Sequence, residues 1–264
     1  MLFSDHERCI YPRTPLHEVI CQLRFPTILT IGTREPADFQ EAIRGDFPRF
    51  AVRQDVPAPK LNGVGTAHPT VENQPPVTNY HFVSTDGAWK LNLTQDFIAL
   101  STLHYTSWEA FAHMLDQPLG HFIRIYQPAF FERIGLRYLN ILSRRQLGLE
   151  GHDWSELIES PYLGPLSQSD VREDGVGKCA LDVEMRLDSS CQVRLHAGPG
   201  RVQNGAPGAP QDQEVKFILD LDLFMSGSSI ADALVPGALE TLHGHSTRLF
   251  QGAVTDTLRE AMEG

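Results

Sequence analysis

Arginines and carboxylates set by strand register carry the strongest chemical signal in this sequence. In FFERIGLRYLNIL, Arg133 and Arg137 are spaced to share one face of a strand, roughly 13 Å apart at about 3.3 Å per residue. Arg24, with Gln22, stands opposite Val19, Cys21, Leu23 and Phe25 in its own segment. Late in the chain the sign reverses. Asp182 and Glu184 alternate with Leu181, Val183 and Met185, and Asp220 and Asp222 alternate with Leu219, Leu221 and Leu223. A guanidinium withdrawn from water needs a carboxylate, a water or a ligand. Two arrangements satisfy these groups. Two polar faces can meet and pair internally, or they can enclose a cleft that holds a peptide or a small anionic or zwitterionic ligand. Arg24, Arg133, Arg137, Asp220 and Asp222 are therefore the candidate binding residues.

Other chemistry finds less support. His243 and His245, with Asp220, Asp222 and His196, are metal-ligand types, but positions i and i+2 of a helix diverge by about 200°. No metal is expected. The chain has no GxSxG elbow, P-loop or GxGxxG, so no catalytic residue and no cofactor is assigned. Cys21 is expected in a core, where a thiol is inert. Phe25, Trp89 and Phe97 are read in the apolar register, which argues against a base-stacking surface.

These groups must be positioned by a chain of 264 residues, 41% hydrophobic and 21% charged, with a net charge of -11. That length can bury a core without disulfides or metals. The acidic balance argues against nucleic acid, whose backbone is held by Lys and Arg. Cys9, Cys21, Cys179 and Cys191 form no CxxC pair and read as reduced thiols. Asp5, His6, Glu7 and Arg8 occupy the place where a signal peptide needs an apolar run, and no stretch reaches a membrane span. A cytoplasmic protein is expected.

Alternation predicts strands over 16–25, 80–84, 89–103 and 130–142. Helices are predicted from Pro36 to Phe47 and from a Thr106/Glu109 capping box to Tyr126, with Pro118 as a possible break. This is the order β-α-β-β-α-β of a ferredoxin-like half, residues 1–145, its four-stranded sheet covered on one face by the two helices. In the second half, 146–264, a short helix capped by Asp153 precedes strands over 178–188, 191–197 and 214–225. One long helix from Pro236 to Met262 closes the chain. The expected fold is α+β, the second half a further antiparallel sheet packed on the first as one unit. Residues 56–76 and 199–212, rich in Pro and Gly, are expected to be disordered loops.

Four segments, PLHEVICQLRF, FERIGLRYLNIL, FILDLDLF and LHGHSTRLFQGAVTDTLREAM, resemble a sporadically distributed bacterial family of uncharacterised proteins of about this length. The resemblance implies length and organisation and no functional residues. The expected role is a non-catalytic binding or accessory protein that recognises a protein or peptide partner. The alternatives are an enzyme with an acid/base site between the halves and an RNA-binding module.

Overall fold

A computed structural model describes residues 2–4, 9–62, 70–202 and 212–264. In chain order the elements are β1 (Leu16–Arg24), α1 (Leu29–Thr33), α2 (Ala37–Ile43), β2 (Arg49–Asp55), β3 (Lys60–Asn62), β4 (Thr70–Glu72), β5 (Val77–Val83), β6 (Trp89–Leu93), β7 (Phe97–Thr102), α3 (Trp108–Tyr126) and β8 (Phe131–Leu142). There follow α4 (Arg144–Leu147), α5 (Trp154–Leu157), β9 (Leu181–Arg186), β10 (Cys191–Gly200), β11 (Lys216–Ile230), α6 (Val235–Ala253) and α7 (Asp256–Glu263). No described helix is long and apolar enough to cross a membrane.

Nine of these strands form one antiparallel sheet in the order β2-β5-β6-β7-β1-β8-β11-β10-β9. The second-half strands therefore do not make a separate sheet. Strand β11 pairs along β8, with Leu136 opposite Leu223 and Tyr138 opposite Leu221. The cause is visible in the side chains: both strands present a mostly apolar set on one face, and pairing them joins two apolar stripes. Val19, Cys21 and Leu23 of β1, Val193 and Leu195 of β10 and Leu219 of β11 are all buried there. Helices cover this face. Phe39 of α2 meets Phe82 of β5, Phe122 of α3 meets Phe25, and α6 lies over β8 and β11.

The part of the sheet built by residues 16–142 has six strands where four were expected. The run 89–103 is two strands, not one. Thr94 and Asp96 close a tight turn between them, with Thr94 Oγ1 donating to Asp96 Oδ1 at 2.7 Å and accepting from the Asp96 and Phe97 amides. The turn resets the register, so Phe97 stands opposite Arg24 on the polar face and not in the core. Strand β2 was missed altogether, because every one of its residues is exposed. Within the expected loop 56–76, β3 and β4 pair as a small hairpin; residues 63–69, like 203–211 in the second predicted loop, lie outside the described residues.

Helix α3 runs unbroken through Pro118, which loses one backbone hydrogen bond but sits on the buried stripe with Phe111, Leu115, Leu119 and Phe122. Its cap is Ser107, whose side chain accepts from the Ala110 amide, one residue beyond the expected Thr106. Asp153 heads α5 as expected, and its amide donates to Glu156 Oε2 at 2.9 Å. The closing helix is broken into α6 and α7. Val254 turns extended and bridges Ile158, and Thr255 caps α7 by accepting from the Leu258 amide.

Candidate functional site

The charged residues singled out above share the sheet face opposite the helices. Arg133 and Arg137 lie on β8, Asp220 and Asp222 on β11, Arg194 and His196 on β10, and Asp182 and Glu184 on β9. They do not face each other across two sheets; they interlock along neighbouring strands of one. Arg133 Nη2 donates to both oxygens of Asp222 at 2.7 and 2.8 Å, and Arg137 Nε donates to Asp220 Oδ1 at 2.8 Å. Arg194 reaches Glu184 at 2.7 Å, and His196 Nδ1 lies 2.7 Å from Asp182. Arg24 lies directly across from Arg133 on the neighbouring strand β1 but pairs outside this group, with Asp96 at 3.4 Å.

Gly135 makes the central pair possible. A Cβ there would fall 2.0 Å from Arg133 Nη1, so glycine leaves room for the guanidinium to lie flat on the sheet, and a larger residue would push it aside. It then stacks over Phe224 at 4.7 Å, with Arg194 on the same ring at 5.1 Å. The face is thus a self-satisfied lattice of charges, and its two arginines on β8 differ in weight. Arg133 is 18% exposed and Asp222 25%, whereas Arg137 is 44% exposed. Arg133→Ala is expected to cost about 1.5–3 kcal/mol, as for hydrogen bonds to a charged group. Arg137→Ala should cost less, about 0.5–1.5 kcal/mol, because Arg137 is half in water although its partner Asp220 is 17% exposed. Urea denaturation of both variants checks the order; equal losses would contradict it.

The residues of metal-ligand type are dispersed. His243 turns towards Tyr138, His245 Nε2 pairs with Asp188 Oδ2 at 2.8 Å, and His196 is on the opposite face of the sheet. Asp188, Cys191 and His245 do converge, but the cluster is already satisfied. The Asp188 carboxylate accepts the amides of Ser190 and Cys191, which hold its pKa far below the usual range. Burial pushes the Cys191 thiol up to about 12, so it keeps its proton. Cys21 is fully buried and likewise pushed up to about 12.

A second site lies on the helix-covered side of the sheet. A cavity of about 380 Å³ opens between the helix-covered face of the sheet, α6 and the N-terminal segment, within the size range of small-ligand pockets. Its floor is Tyr138 and Asn140 of β8 with Leu221 of β11; one wall is His243, Ser246, Thr247, Phe250 and Gln251 of α6; Tyr105 and Thr106 form the other. Residues 9–16 make the roof. Two backbone hydrogen bonds tie the second half of that strap. The Arg13 amide donates to the Met262 carbonyl and the Ile141 amide to the Pro15 carbonyl. Leu2 lies so close to α6 that a Cβ on Gly252 would sit 2.5 Å from its carbonyl oxygen.

Polar groups are concentrated at the inner end. The Tyr138 hydroxyl is hydrogen-bonded to His243 Nδ1 at 2.8 Å, and the His243 ring is stacked on Trp108 with centroids 4.7 Å apart. Trp108 Nε1 donates in turn to Glu240 Oε1 at 2.6 Å. Burial, with Tyr105 beside it, holds the Tyr138 pKa well above its usual value, so the phenol is neutral. Gln251 and the Tyr11 hydroxyl bond each other at the roof. Compared with known proteins, the chain matches no family model and no curated protein.

Tyr11, Tyr138, Ser246 and Gln251 are not among the candidate residues read from the sequence, and His243 enters there only as a metal-ligand type. The readable sign was polarity in a core register. Tyr138 and Asn140 fall on the apolar face of β8, and His243, Ser246 and Gln251 interrupt the buried stripe of α6.

Proposed function

We propose that this is a non-catalytic binding protein that receives an uncharged, mostly apolar group of a protein or peptide partner in the cavity under the N-terminal strap. One observation carries the reading: among the described residues, no Asp, Glu, Lys or Arg lines the cavity. A charged guest would be desolvated there without a counter-ion, at a cost of several kcal/mol or more, whereas an apolar group with one hydrogen-bonding end finds apolar walls and Tyr138, His243 and Ser246 at the bottom. The rim supports a macromolecular guest, since Ile10 at the mouth is 66% exposed and Leu103, just before the Tyr105 wall, is 57% exposed. The arginines and carboxylates of the open face are engaged with each other, which weighs against that face as the site for an anion or RNA.

The enzyme alternative rests on Tyr138 and His243, residue types that move protons. A phenol held neutral by burial serves better as a fixed hydrogen-bond donor than as a base, and this favours binding over catalysis. The neighbour order β6-β7-β1-β8, with α2 and α3 on one face, supports reading that part as a ferredoxin-like unit widened by β5 and β2.

The test uses N-phenyl-1-naphthylamine, an uncharged fluorophore, as probe. Saturable binding is expected, with displacement by end-capped peptides carrying Phe, Trp or Leu and none by the same peptides carrying Asp or Lys. Equal competition by charged peptides, or no saturable binding, would overturn the proposal.

A further inference from the structure

The two ends of the sheet are built differently. At one end β9 alternates half-buried Leu181, Val183 and Met185 with exposed Asp182, Glu184 and Arg186. At the other end β2 has all its residues exposed, Phe50 at 42% and Val52 at 45% among them. It pairs with β5 in unbroken register from Arg49↔Val83 to Asp55↔Val77. A regular edge strand with apolar residues and no proline offers a row of backbone donors and acceptors to another strand. Phe50 is already half of a stack, lying over Tyr80 and Phe82.

The sequence of this edge complements itself. When RFAVRQD is laid antiparallel on a second copy about Val52, Arg49 falls opposite Asp55 of the copy, and Asp55 opposite its Arg49. Val52 meets Val52, and Phe50 meets Gln54. Opposed residues share a face in an antiparallel pair, so Arg49 and Asp55 meet on the polar side, where Arg53 falls opposite Ala51, and Phe50 and Val52 lie on the other. Arg49 and Arg53 make no ion pair among the described residues, whereas Asp55 is held in place by Asn79 Nδ2 at 2.6 Å. A two-fold arrangement repeats each favourable contact twice.

We propose that β2 is the interface for a second copy of this chain, the two nine-stranded sheets continuing into one through antiparallel β2–β2 pairing. The proposal is independent of the cavity, which lies under α6 and the N-terminal strap.

Sedimentation of the full chain tests it through paired charge reversals. Wild type is expected to sediment at twice the chain mass. Arg49→Asp alone and Asp55→Arg alone each place like charges opposite one another twice per dimer, and should weaken dimerisation by about tenfold or more. Mixing those two variants in equal amounts restores both attractive pairs, so a heterodimer should form where neither variant alone dimerises. That rescue separates an interface effect from misfolding. A wild type that stays monomeric at every concentration, single variants that dimerise like wild type, or a mixture that fails to associate would each overturn the proposal. The first outcome would leave the edge open to an extended segment of another protein.

Discussion

Thr247→Trp is expected to abolish uptake of the uncharged probe while the protein melts within a few degrees of wild type. Thr247 is on the cavity wall of α6, one turn before Phe250 and Gln251, and is only half-buried. An indole at that position extends from a half-open site, so it fills the mouth without overpacking the core. Its loss of one hydroxyl hydrogen bond to the His243 carbonyl is minor, because that bond is local to the helix. The stability change should stay within about 1 kcal/mol, or about 2–4 °C for a chain of this size. Probe affinity should fall by about a hundredfold or more. Titration of both proteins with N-phenyl-1-naphthylamine gives the answer. Unchanged affinity would place the probe site outside the cavity, and with it the functional reading.

Most of the sheet was legible because burial on one face leaves a period of two in the sequence. Strands β1, β8, β9, β10 and β11 each alternate, and they occur where alternation placed them. Strand β2 has no such trace, since neither of its faces is buried and Phe50 and Val52 look like chance apolar residues in a polar stretch. The turn between β6 and β7 was hidden for a different reason. Ile98, Ala99 and Leu100 continue the apolar run, and the turn is made by side-chain hydrogen bonds of Thr94 and Asp96 that no hydropathy pattern records.

The ion pairs of the open face illustrate what register can and cannot say. Alternation put Arg24, Arg133 and Arg137 on one face of their strands and the four carboxylates on one face of theirs. It could not say that β11 pairs with β8, which turns two facing surfaces into one shared surface. The cavity was less visible still. Tyr11, Tyr105, Tyr138 and His243 come from four separate stretches of the chain, and only the path of the N-terminal strap between α6 and the sheet brings them together. Their polarity within apolar stripes was the local sign; their convergence is a property of the tertiary fold.

Trp108→Ala is expected to cost about 3–5 kcal/mol, the range for deleting a buried large aromatic side chain, and to lower the melting temperature by roughly 6–20 °C. Trp108 is 4% exposed at the first turn of α3, stacked between Phe111 and His243. Its removal leaves a void, frees the Glu240 carboxylate from its indole donor and strips the His243 ring of the surface that fixes its plane. The Tyr138–His243 hydrogen bond is then held from one side only, so the polar end of the cavity loses its geometry. Probe affinity should therefore fall even at temperatures where the variant is fully folded. Trp108→Phe separates the two effects. It keeps an aromatic face against His243 while losing the N–H donor to an exposed carboxylate and the part of the indole that a phenyl ring does not fill, for a cost on the order of 1–3 kcal/mol, and it should retain most of the probe affinity. Thermal melts and probe titrations of both variants decide the matter. An alanine variant that melts with the wild type would show that α3 and α6 are locked by contacts other than this stack. One that is destabilised but binds the probe normally would show that the His243 plane does not shape the site.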